Sequence, residues 1–330
     1  ISGNNLFSIM SAIQFQLRQA THSDLPEIAA LLSEGLSFDG LVFVQTAEEL
    51  AEEFDGTYCD LDQDVIVAVH ESIIIGVGYT IFLPSEIKEE RCYIFGTTKP
   101  EHRGNGVGTA VMQWATEHGE SLLRSTNRTI PKYLRSDMST TNSTAGDLFH
   151  SFNMIPVRWN DDLIIDLNNS PDVFTATGYS IVPWDTSRDE EARIAKNRAF
   201  MDHWGSTPTN EEGWEQLAHG STARLDQSFF ALDQNEKIVG VLLSHRYESD
   251  DEVLGKRIGW IDKLATLSEH RKKSVGKSLI THALAAYKRD GLTHGALDVD
   301  TENPTGAYGL YTAVGFSTFR GKVTYERKVQ

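Results

Sequence analysis

The stretch VAVHESIIIGVGYTIF (Val67 to Phe82) sets two apolar runs on either side of a polar tripeptide, with a glycine inside the second run, and this pattern predicts a hairpin of two buried strands. FALDQNEKIVGVLLSH (Phe230 to His245) has the same layout, and Gly240 stands 164 residues after Gly76. Helical periodicity follows at two matching places. Val107, Val111, Trp114, Ala115 and His118 share one helix face, as do Val275, Leu279, His282, Ala283 and Ala286. The helices are entered through related wording, PEHRGNGVG and SEHRKKSVG, with Arg103 and Arg271 separated by 168 residues.

The correspondence extends in both directions. QLRQATHSDLPEIAALL pairs with SIVPWDTSRDEEARIAKN, each a strand, a Ser/Thr/Asp capping cluster and a helix that begins with acids. Near the two ends, NSTAGDLFHSFNM parallels NPTGAYGLYTAVGF. Four elements recurring in one order imply a duplication. Each half reads strand, helix or helices, three strands, glycine turn, helix, strand, helix, strand: a mixed α/β unit. The proline-bearing NNSPD (Asn168 to Asp172) suits a linker, so the expected halves are residues 1–168 and 174–330.

Composition narrows the function classes. A formal net charge of -17 argues against extended nucleic-acid binding and suits attraction of a cationic substrate, or simply solubility. No apolar run approaches the length of a membrane helix, and the start ISGNNLFSIMSAIQ has no basic region before its few apolar residues. A soluble, cytoplasmic chain is the expectation. Cys59 and Cys92 lie far apart, which leaves neither a disulfide framework nor a cysteine-based metal site to expect.

The glycine turns carry the chemistry. A dinucleotide fingerprint beginning at Gly104 needs glycine at 109, where Thr109 stands, and a Walker loop ending in SVGKS needs glycine at 271, where Arg271 stands. What remains is Arg-x-x-Gly-x-Gly between a strand and a helix, as Arg103, Gly106 and Gly108. Glycines permit a tight turn, and the amides and positive end of the next helix favour an anion such as a diphosphate.

This loop resembles the acetyl-CoA loop of the GNAT superfamily of N-acetyltransferases, Q/R-x-x-G-x-G/A, found here twice in a strand-helix context. The resemblance implies two tandem GNAT-like domains that bind acetyl-CoA, its pyrophosphate on loop amides and its pantetheine arm along the preceding strand. By this resemblance the cofactor contacts of the first half are Gly96, Thr98, Arg103, Gly104, Asn105, Gly106, Val107, Gly108 and Thr109. Those of the second are Leu264, Ala265, Thr266, Arg271, Lys272, Lys273, Ser274, Val275, Gly276, Lys277 and Asn303. Ser274 replaces the glycine found at Gly106; a left-handed backbone there costs on the order of 1 kcal/mol. The basic cluster Lys272, Lys273 and Lys277 either pairs with cofactor phosphates or is a set of solvated helix-cap cations.

The second half ends in NPTGAYGLYTAVGF, which is similar to the superfamily's Asn-x-x-x-Ala-x-x-Leu-Tyr-x-x-x-Gly-Phe helix and makes Tyr311 the general acid for the departing thiolate. A core tyrosine is the plainer reading. The first half has Phe149 in this place and Ile94 where the second has Asp262. Asp262 is a base for the amine, an exposed strand residue, or the ion-pair partner of Lys263 or another neighbour. His203, Trp204 and Trp214 are expected to line the acceptor pocket, with Glu211 and Glu212 attracting a cation, or else to anchor a packed loop. The resulting expectation is an N-acetyltransferase acting through its C-terminal half on an amino sugar, a polyamine or a peptide amine. Two alternatives stand beside it: a coenzyme A-binding protein without transfer activity, and catalysis in the first half with a donor such as His150.

Overall fold

The computed structural model describes residues 13–41, 43–303 and 306–330; all but the last two residues of the opening segment read above for a leader lie outside them. The first half runs β1 (Gln16–Gln19), α1 (Leu25–Phe38), α2 (Ala47–Phe54), α3 (Leu61–Asp64), β2 (Val65–His70), β3 (Ile73–Leu83), β4 (Glu90–Thr98), α4 (Val107–Ser125), β5 (Lys132–Ser139), α5 (Ser143–Ser151) and β6 (Ile155–Asp166). The second runs β7 (Ser180–Pro183), α6 (Asp189–Ala199), α7 (Glu211–His219), β8 (Phe229–Leu232), β9 (Ile238–Arg246), α8 (Asp250–Leu254), β10 (Ile258–Thr266), α9 (Val275–Arg289), β11 (His294–Asp300), α10 (Ala307–Val314) and β12 (Ser317–Val329). The mixed α/β duplication expected from the sequence is present. Among the described residues no helix is long and apolar enough to cross a membrane.

The halves share details that periodicity alone does not reach. Glu27 on α1 accepts the Ile74 amide at 2.8 Å, and Glu191 on α6 accepts the Ile238 amide at 3.0 Å, each pinning the first helix to the hairpin. Gly76 and Gly240 give room to the next helix: a Cβ on Gly76 would lie 2.7 Å from Val107, and one on Gly240 would lie 3.1 Å from Val275.

All strands form one sheet in the order β1-β2-β3-β4-β5-β12-β6-β11-β10-β9-β8-β7. The last strand of each half lies beside the other half: β12 pairs with β5, β6 pairs with β11, and the two pair with each other in the middle. The linker therefore separates the halves in sequence while the sheet joins them. An alternating strand does not encode which edge it will meet, so this exchange was not legible. Its consequence is that residues from both halves surround the centre of the sheet.

Candidate active site

In each half two parallel strands begin paired and then diverge. β10 pairs with β11 only over Ile258–Ile261, and β4 with β5 only over Glu90–Tyr93. Past those points each strand leaves backbone groups facing the gap. The ladder fixes which ones. Leu267 donates to Val239 across the β9 side, and alternation along an antiparallel strand then sends the Ala265 amide to β9 and those of Leu264 and Thr266 into the gap. Ala265, expected above among the cofactor contacts, therefore spends its amide on the ladder and has none to offer the gap. In the first half, Lys99 donates to Ile75, which leaves Gly96 and Thr98 facing the gap.

The turns after these strands match. Gly104 and Gly106 have φ of +79° and +85°, and the corresponding Lys272 and Ser274 have +60° and +62°. Left-handed backbone is required at both positions, and the second half meets it with two residues that carry a Cβ. Neither α4 nor α9 has a side-chain cap. Their first-turn amides, which have no partner within the helix, are open to a ligand.

The arginines of the motif bind protein. Arg103 donates through Nε to the Thr98 carbonyl at 3.1 Å and grips Asp39 with both other nitrogens at 2.6 and 3.1 Å. Arg271 donates to the Thr266 carbonyl at 3.2 Å and the Ala199 carbonyl at 2.6 Å, with Asp202 at 3.6 Å. Both tie strand, turn and first helix together.

Against α9 lies a cavity of about 1250 Å³. Its walls include Asp262, Leu264, Ala265, Thr266, Arg271, Lys272, Ser274, Val275, Gly276, Lys277, Asn303 and Tyr311, together with His203 and Trp204. The structure thus gathers most of the residues singled out in the second half. Lys273 lies outside the lining, and so does Trp214, which is 5 % exposed and stacked on Trp184 with centroids 6.1 Å apart. Trp214 is a core residue, correcting its assignment to the acceptor pocket: on α7 it shares the inward face with Gly213 and Ala218. The first-half loop residues Gly96, Thr98, Arg103, Gly104, Asn105, Gly106, Val107, Gly108 and Thr109 belong to the other gap and do not line this cavity.

Tyr311 is 7 % exposed, and burial pushes its phenol above the ordinary range, so it keeps its proton at neutral pH. Asp262 sits at a bulge of β10, between Ile261 and Lys263, where β4 has none. Burial pushes the Asp262 carboxyl up, but the Lys263 ammonium at 2.6 Å, with His245 and Lys196, outweighs it and holds the group below its ordinary value. Of its sequence readings, the ion pair with Lys263 is present in the structure.

Sequence reasoning missed the first half's share of this cavity. Arg91, Tyr93 and Asp137 line it, brought there by the strand exchange. The loop carrying His203 and Trp204 is held from the same side: Lys88 donates to the carbonyls of Met201 and His203, Arg91 donates to Thr207 at 2.7 Å, and the Arg135 guanidinium lies 4.2 Å from the Trp204 ring centre. Arg135, 1 % exposed, is fixed by Glu89 at 2.7 Å and Glu326 at 2.6 Å. His203 Nε2 lies 2.9 Å from Asn303 Nδ2, and burial lowers the imidazole's proton affinity, which fits a neutral ring accepting that hydrogen bond. Lys196 was also missed; its signal was a lysine inside the apolar stripe Ala192, Ala195, Ala199 of α6.

The profile of the acetyltransferase (GNAT) family matches residues 33–131 and 191–316, one stretch in each half. The chain belongs to the GNAT family. A mycothiol acetyltransferase from Frankia casuarinae is 24% identical over 236 residues, 68% of this chain; the match spans 65% of that protein's length, just under two thirds. A GCN5-related N-acetyltransferase from Sphaerobacter thermophilus has the same fold, with TM-score 0.76, 22% identity and 96% of each chain covered. So does a tandem GNAT protein of the clavulanic acid biosynthesis pathway, with TM-score 0.71, 13% identity, and 96% of this chain and 98% of that one covered.

Proposed function

We propose that the chain transfers an acetyl group from acetyl-CoA to a primary amine of a small molecule or peptide, and that the cavity of the second half carries the reaction. The observation that carries this reading is one continuous space in which the uncapped mouth of α9, the open edge of β10 and the Tyr311 phenol meet. When bound, acetyl-CoA supplies an activated thioester. The α9 mouth offers its amides to the diphosphate, and Leu264 and Thr266 offer theirs to the arm and the thioester oxygen. Tyr311 holds a proton for the departing sulfur. Asp262 stays ionised and acts on a cation rather than as a proton acceptor. The GNAT family and the likeness to a mycothiol acetyltransferase support acetyl transfer to an amine. A cytoplasmic setting goes with this reading, since Cys59 and Cys92 are both free, buried thiols.

The test is release of free coenzyme A from acetyl-CoA in the presence of glucosamine, spermidine or a peptide amine. Wild type is expected to turn over at least one of them and Tyr311→Phe to be severely slowed. Acetyl-CoA binding without turnover on any amine would favour the reading as a non-catalytic binder.

A further inference from the structure

Lys196 is a lysine where the fold wants an apolar side chain. At the matching place on α1, five residues after the hairpin-pinning glutamate, the first half has Leu32, buried in its core. The duplication thus supplies its own control: the helix packs without an amine. Lys196 is 5 % exposed and faces the same cavity as Asp262 and Tyr311. Its Nζ donates to Thr209 Oγ1 at 2.6 Å and Asn197 Oδ1 at 3.4 Å, both neutral, and among the described residues no carboxylate pairs with it.

A charged ammonium so placed is expensive. The charges acting on it do not compensate. Lys263 and Asp262 reach it from β10, Arg91 from β4 of the first half, and Arg193 from its own helix. The one carboxylate among them is already bound to Lys263. Burial first, then Lys263, brings the Lys196 amine down to about 7, so an unprotonated fraction is present at neutral pH.

We infer that Lys196 is the proton acceptor of the cavity, taking the proton that the acceptor nitrogen releases as it attacks the thioester carbonyl. This rests on the reading of the cavity as an acetyl-transfer site. The nitrogen-carbon bond forms, the carbon-sulfur bond breaks, the nitrogen's proton goes to the Lys196 lone pair, and the sulfur takes its proton from Tyr311. One proton passing from the Lys196 ammonium to the Tyr311 phenolate through water restores both groups. Lys196 fills the role that Asp262, held ionised by Lys263, does not. Like Tyr311, for which the first half has Phe149, Lys196 is a polar residue of this cavity with an apolar counterpart in the first half.

The experiment has an arm that needs no acceptor. The full-length protein is labelled competitively with isotope-coded acetic anhydride from pH 6 to 11, and the Lys196 peptide is quantified against exposed lysines by mass spectrometry. Reactivity of Lys196 rising near pH 7, well below the exposed lysines, is the expected result. A midpoint with the exposed lysines, or no labelling at any pH, overturns the proposal. In the second arm, Lys196→Met and Lys196→Arg are assayed for coenzyme A release with glucosamine, spermidine and a cysteinyl peptide amine. Both are expected to lose on the order of 100-fold in kcat, the scale of a lost proton acceptor, while KM for acetyl-CoA stays within twofold. Full activity of Lys196→Arg, which keeps the charge and a donor for Thr209, overturns the proposal even if Lys196→Met fails to fold. If wild type turns over none of these amines, the amine-transfer reading fails, and the labelling midpoint still decides whether Lys196 can accept a proton.

Discussion

The two gaps of the sheet are built alike and furnished differently. Both have diverging parallel strands, a left-handed turn, an arginine tying the turn to the strand and first helix, and an uncapped helix mouth. The first half then places Leu32 and Phe149 where the second places Lys196 and Tyr311, and its β4 lacks the bulge that carries Asp262, so that in the sheet Ile94 matches Ile261 rather than Asp262 as the sequence spacing had it. Phe149 stacks on Tyr325 of the exchanged strand β12, with centroids 4.9 Å apart, inside an apolar cluster with Met154. The difference separates what the shared fold requires from what it leaves free to differ. The turn and its arginine occur in both halves and serve the architecture; the three polar side chains occur once and face one cavity.

The comparison can be broken most severely at Tyr311. Tyr311→Phe makes the second half resemble the first at that position; turnover is expected to fall by about 100-fold or more, with acetyl-CoA affinity within twofold by calorimetry. The reciprocal Phe149→Tyr is expected to create no activity when assayed in a Tyr311→Phe background.

A packing exchange sharpens the structural equivalence. A Cβ on Gly35 would lie 2.3 Å from Thr97 Oγ1, and the matching pair in the second half is Ala199 and Ala265. Gly35→Ala is expected to destabilise the protein by roughly 1–3 kcal/mol in urea unfolding, because a β-branched neighbour yields poorly. Adding Thr97→Ala, which copies the second half, should restore most of that loss.

Lys196→Met converts the second half toward the first and should stabilise it. The folded protein holds this amine at about 7, below the unfolded lysine near 10.4, so between those values the unfolded chain binds a proton that the fold does not. Wild-type stability therefore rises with pH across that window. The gain from Lys196→Met, on the order of 3 kcal/mol after loss of the Thr209 hydrogen bond, is expected at pH 7 and below and should fade toward pH 10. A gain that does not change with pH would remove the buried-amine account.

The smallest effect is at the turn. Ser274→Gly relieves left-handed strain but adds freedom to the unfolded chain, for a net gain of about 0–1 kcal/mol, and Gly106→Ser should lose a similar amount. Thermal unfolding of the two variants gives the sign.

Local patterns made the duplicated elements legible. Gly76 and Gly240, the two turns and the capping clusters each depend on neighbours within a few residues or one strand away. The turn that opens onto the cavity was legible for the same reason, since strand, turn and helix are consecutive. The exchange of β6 and β12 was not, because alternation fixes a strand's faces and leaves its partner open. The entry of Arg91, Tyr93 and Asp137 into the cavity depends on that exchange. Trp214 misled because an aromatic residue near a polar loop has the same local signature whether it lines a pocket or fills a core. The pairing of Asp262 with Lys263 was among its sequence readings, and only geometry chose it.

The central claim is that the second half, and not the first, performs the transfer. It is tested most directly by placing a carboxylate at each helix mouth, where it would repel a diphosphate, and comparing coenzyme A release by Ser274→Glu and Gly106→Glu. The account predicts that Ser274→Glu lowers kcat/KM for acetyl-CoA at least tenfold while Gly106→Glu stays within about twofold of wild type, a gap of at least about 1 kcal/mol in transition-state stabilisation. A severe loss in Gly106→Glu with Ser274→Glu unaffected, or equal losses in both, would contradict it.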